Sequence, residues 1–107
     1  MGNNMNDNKD LYDLFIKDVE NTIFIYKEAV GGFAPNTEKI LNNPDKISSL
    51  SNLMRSGEAQ KGFKILRDKG QLDKTFESLI IKYKQLFKDD IVTAAQWRLN
   101  NAWTMGN

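Results

Sequence analysis

The 107-residue chain contains no cysteine and no histidine. The first absence excludes disulfides, thiolate metal sites and a cysteine nucleophile. The second removes the commonest general base and the commonest metal ligand. Proline occurs only at Pro35 and Pro44, so ring geometry interrupts the backbone in one connector alone. No apolar run approaches the ~20 residues that span a bilayer. The opening residues, MGNNMNDNKD, lack the basic and apolar regions of a signal peptide. Gly2 invites myristoylation, but that motif needs Ser or Thr where Asn6 stands. These absences predict a cytoplasmic protein with no cofactor, no metal and no membrane contact. They also argue against an enzyme.

Arginine is scarce as well, with three against twelve lysines. Together with twelve asparagines and nine isoleucines, this resembles the codon bias of an AT-rich bacterial or phage genome. What is present, 40% hydrophobic and 27% charged residues, is the composition of a soluble globular protein. The length fits one domain over residues 1–107, with 1–8 expected as a flexible N-terminal tail. The net charge is +1, unevenly spread. Residues 1–54 carry five positive and eight negative side chains, a balance of −3, and residues 55–107 carry ten and six, a balance of +4.

Apolar spacing predicts an all-α domain of five or six helices in orthogonal or bundle-like packing. A first helix is expected from Lys9 or Asp10 to Val30, stopped by Gly31 and Gly32. It buries Leu11, Phe15, Val19, Thr22, Ile23, Tyr26, Ala29 and Val30, with Leu14 and Ile25 widening the arc. Asn36 or Thr37 is expected to cap a short turn through Leu41. Pro44 or Asp45 starts a helix to Met54, and Ser56 caps one that stops at Gly70. Asp73 is expected to cap a helix to Phe87, and Asp89 or Asp90 a last one burying Ile91, Val92, Ala95, Leu99 and Ala102.

Motifs for chemistry are weak. Gly57 and Gly62 have phosphate-loop spacing, but Phe63-Lys64 follows where Lys and a hydroxyl residue are needed. Gly62 is better read as a point of close helix approach. Asp10 and Asp13 form a carboxylate pair on a solvated face. Ser78 and Lys82 lie one turn apart, but activating that serine needs a desolvated, neutral lysine, and both fall beside the polar side.

Two binding surfaces remain. Residues 47–69 could form a helix-turn-helix outline presenting Arg55, Gln60, Lys61, Lys64 and Arg67 to nucleic acid. The near-zero net charge and the scarcity of arginine count against it. Alternatively, Phe24, Ile81, Trp97 and Trp103 fall off the buried stripes and are candidates for a protein interface. Lys74, Glu77, Lys84 and Lys88 would then ring Ile81 as a polar rim. The leading expectation is a non-catalytic module that binds another protein or itself, with nucleic acid the alternative.

Overall fold

Glycine, proline and capping side chains cut the described residues into six α-helices: α1 (Asn4–Ala29), α2 (Pro35–Asn42), α3 (Lys46–Leu53), α4 (Gly57–Asp68), α5 (Phe76–Lys82) and α6 (Asp89–Asn100). Three 3-10 turns, Leu72–Lys74, Lys84–Leu86 and Ala102–Thr104, complete the computed structural model. It describes the backbone of residues 4–104 and the side chains of 9–104, and no strand occurs among them. The protein is therefore all-α. No helix among the described residues is long and apolar enough to cross a membrane.

Several boundaries follow from local chemistry. Ser56 caps α4 by accepting from the Ala59 amide, and Asp45 caps α3 by accepting from the Ser48 amide. Gly31 and Gly32 adopt φ of 87° and 95° to end α1, and Gly70 adopts 72° beyond α4. Other boundaries differ from the sequence-based expectation. α1 begins at Asn4 rather than Lys9, so the expected tail is helical from residue 4; Gly2, like the rest of residues 1–3, lies outside the described residues. α5 is capped by Thr75, whose hydroxyl accepts from the Ser78 amide, while Asp73 sits in the preceding 3-10 turn. Lys88 occupies the N-cap position of α6, leaving Asp89 and Asp90 in its first turn, where carboxylates suit the helix dipole.

α5 stops at Lys82 rather than continuing to Phe87. The chain turns there through Lys84–Leu86 and an extended Phe87, which sends α6 back along α5. Tyr83 and Phe87 both stay buried against Phe15, with ring centroids 5.3 and 5.7 Å away. Tertiary packing thus overrides local helix propensity.

The core lies between α1 and the later helices. Phe15, Val19, Ile23 and Tyr26 meet Ile40, Leu50, Leu66, Phe76 and Ile80. Gly62 performs the expected close approach: a Cβ there would lie 2.5 Å from Tyr26 Cδ2, so the tyrosine ring rests directly on α4. Leu14 does not widen the buried arc; it is 56% exposed.

Candidate functional site

The groove between α5 and α6 is built by the most extensive helix pairing in the molecule. Ile81 and Val92 line it with apolar surface, Lys84, Thr93 and Gln96 with polar groups, and Trp97 completes it; the groove is open, with a volume of about 440 Å³. Trp97 is more than half exposed because it projects away from Ala95, the fully buried position of α6. Ile81 is half-buried and packs against the core rather than standing on the polar face. Two of the predicted interface residues therefore share one groove.

The other two do not join them. Phe24, 62% exposed, borders a separate depression of about 340 Å³ between α1 and the end of α4, with Leu66, Lys69 and Lys74. The ring of charges expected around Ile81 is redistributed accordingly. Lys74 lies beside Phe24, Lys88 lies by Arg55 in a third depression, and Glu77 is buried, so Lys84 alone remains in the groove of Ile81. Trp103 lies over Arg67, with the guanidinium carbon 5.2 Å from its ring.

The nucleic-acid candidates are also divided. Arg67 is only 2% exposed; it pairs with Asp68 at 2.9 Å and donates to the Ala102 carbonyl at 2.8 Å, clasping the last turn onto α4. It is removed from any phosphate-facing set. Lys61 is exposed and Gln60 and Lys64 are partly exposed on α4, while Arg55 is exposed before it. α3 packs chiefly on α2, whereas α4 packs on α1, so the two helices do not form the compact unit that a helix-turn-helix needs.

Neither serine nor lysine of the Ser78–Lys82 pair is poised for the other. The Ser78 hydroxyl donates to the Leu72 carbonyl at 2.6 Å, and Lys82 Nζ pairs with Asp18 at 3.0 Å. No group of three metal-ligating side chains occurs among the described residues. Ser49 Oγ, beside a groove lined by Asn36, Asn43 and Asn52, is the only buried side-chain polar atom without a partner among them.

A buried polar centre escaped sequence reading. Glu77 is fully buried and accepts from Arg98 Nη1 at 2.8 Å and from the Tyr26 hydroxyl at 3.4 Å. Arg98 also donates to the Met54 carbonyl, and the Tyr26 oxygen accepts from the Phe76 amide at 3.0 Å. Burial pushes the Glu77 carboxyl above its ordinary range despite the opposing Arg98 guanidinium. Burial, and then the Glu77 charge, drive the Tyr26 phenol well above its ordinary value. A second cap was hidden in the same way. Glu58 of α4 accepts from the Asn36 and Thr37 amides and from the Thr37 hydroxyl, satisfying the start of α2 in place of a local side chain.

Compared with family models, with curated proteins and with solved structures, the chain matches none at a significant level.

Proposed function

We propose that the protein is a binding module that docks an amphipathic, acidic segment of another protein in the α5–α6 groove. The observation that carries this reading is the shared position of Ile81, Val92 and Trp97 around one open groove that Lys84 also lines. An apolar side chain of the partner would cover Ile81 and Val92 and bury the exposed face of Trp97. Aromatic anchors of this kind contribute most of the affinity at protein interfaces. A partner carboxylate would meet Lys84, and Thr93 and Gln96 would supply hydrogen bonds at the edge. The basic balance of residues 55–107 favours encounter with an acidic surface.

A photo-crosslinking side chain at Gln96, in cells of the source organism, tests this directly. The expected adduct is one protein, joined through a peptide bearing both apolar and acidic residues, and lost on Trp97→Ala but retained on Phe24→Ala. The purified pair should then bind with Kd raised at least about tenfold by Trp97→Ala. An adduct indifferent to Trp97 would remove the reading. Nucleic acid at the crosslink, with affinity falling steeply as salt rises, would instead favour the surface of Arg55, Gln60, Lys61 and Lys64.

A further inference from the structure

The outer face of α1 carries a pattern that the α5–α6 groove does not use. Asp10, Leu14, Lys17, Asn21, Phe24 and Glu28 fall within about 60° of the direction opposite the buried arc. All six are exposed. Leu14 and Phe24 are 56% and 62% exposed, and the rise of ten residue steps from one to the other is about 15 Å. Carboxylates stand at one end of this strip, and at the other end two cations of neighbouring elements stand beside Glu28. Asp10 and Asp13 flank Leu14, while Lys69 and Lys74, neither in an ion pair among the described residues, line the depression beside Phe24.

We infer that this face pairs with the same face of a second copy, antiparallel about a two-fold axis that crosses the outer face at the level of Val19. That operation brings Leu14 of each copy level with Phe24 of the other across the seam, because both lie five residues from the centre. It brings Asp10 and Asp13 towards Lys69 and Lys74 of the second copy, two cations that offset the Glu28 carboxylate with which Asp10 comes level. Lys17 comes opposite Glu20 and Asn21. The face therefore offers itself both an apolar partner and, through Lys69 and Lys74, opposite charge for Asp10 and Asp13, which is the condition for an isologous dimer. No other surface described above places two large exposed apolar side chains at equal distances from a centre with opposite charges at the two ends. The two helices overlap over residues 9–29, about 30 Å by about 10 Å per copy, so the dimer is weak and reversible.

Sedimentation equilibrium from about 10 μM to about 1 mM reads this out. The average mass should rise from monomer towards dimer, and Leu14→Asp and Phe24→Asp should each raise the dimer Kd at least about tenfold. Both positions are exposed, so circular dichroism should show unchanged helicity, and Trp97→Ala should leave the equilibrium where it was. The chain has no native cysteine, so mixing Lys17→Cys with Asn21→Cys chains tests register under mild oxidation. The mixture should form disulfide faster than either chain alone. A monomer throughout the concentration range overturns the proposal, including the case where a different protein covers this face. So does dimerisation untouched by both aspartates, or disulfide formation no faster in the mixture.

Discussion

Two clusters join α1 to α5, and both consist of a carboxylate, a tyrosine hydroxyl and a cation. One is Glu77 with Tyr26 and Arg98; the other is Asp18 with Tyr83 and Lys82. The chemistry is the same, yet the two carboxyl groups shift in opposite directions. Glu77 is 1% exposed at its side chain and its pKa is raised; Asp18 is 38% exposed and its pKa is lowered. At Glu77 the desolvation cost exceeds what the partners return. At Asp18 burial also raises the pKa, but it is outweighed by hydrogen bonds from Tyr83 and Lys82. Depth, rather than the identity of the partners, decides the sign.

The largest effect should come from breaking the deep cluster on one side. Arg98→Met strands the Glu77 carboxylate in the core and releases the Met54 carbonyl. A loss of about 3–5 kcal/mol is expected in denaturant unfolding. Replacing both partners, as Glu77→Leu with Arg98→Met, should restore most of that loss, since a well-packed apolar pair avoids the desolvation cost. If the double variant were as unstable as the single one, the cluster would act through packing rather than through charge.

Next in size is Gly62→Ala, which attacks the same cluster from below. A methyl group at this position meets the Tyr26 ring at 2.5 and 2.7 Å, and that ring packs on Phe76 at 4.1 Å between centroids. The ring must move, carrying its hydroxyl away from Glu77 and from the Phe76 amide. A destabilisation of about 1–3 kcal/mol is expected, against the slight gain that alanine gives at an unconstrained helical position. An unchanged or raised melting temperature would show that the ring shifts freely.

Gly62 also marks how far the sequence could be read. Its role was legible because a glycine on the apolar stripe of a helix leaves room for another helix, and the Ser56 cap and the stops at Gly31, Gly32 and Gly70 were legible because each depends on residues within one or two helical turns. So was the all-α architecture, which follows from apolar spacing alone. Glu77 was not legible: its neighbours Lys74 and Lys84 suggest a solvated face, and only the arrival of Arg98, twenty-one residues away, makes its burial tolerable. The Glu58 cap on α2 was hidden for the same reason, since its acceptors and donors lie more than twenty residues apart. At the candidate groove, Trp97 was legible as an off-stripe residue. Its companionship with Ile81, and its separation from Phe24 and Trp103, depended on a turn at Tyr83 that the apolar pattern does not encode.

The opposite shifts also predict opposite responses to acid. The Glu77 pKa is raised in the folded state, so its contribution is fully present below the unfolded value of about 4.3 and is lost as pH rises through the folded value. The Asp18 pKa is lowered, so its contribution is present above about 3.9 and is lost as pH falls through the folded value. Denaturation midpoints measured from pH 7 to pH 2 should therefore lose their upper inflection in Glu77→Gln and their lower one in Asp18→Asn. In alkali the Tyr83 phenol, pushed up to about 12 by burial and by Asp18, stabilises the fold below pH 10. That contribution fades between about 10 and about 12, and Tyr83→Phe should remove its share of the slope. Identical acid limbs in the two carboxyl variants would contradict the assignment of sign by depth.

The smallest effect should be Lys82→Met. Lys82 Nζ is 3.0 Å from Asp18, the same kind of contact that Arg98 makes to Glu77 at 2.8 Å, but its side chain is 66% exposed. Water already screens the pair, and holding a lysine in one rotamer offsets part of the attraction, so the loss should be below about 1 kcal/mol. Tyr83 continues to donate to Asp18 after the substitution, which leaves the carboxylate partnered and keeps the cost low. A double-mutant cycle with Asp18→Asn isolates the pair from that remaining bond. The coupling should be small and should fall further in 1 M salt, where charges more than about 3 Å apart are screened. A coupling as large as that of Glu77 with Arg98, and insensitive to salt, would mean that exposure does not separate the two clusters, and the contrast between them would have to rest on the geometry of arginine and lysine instead.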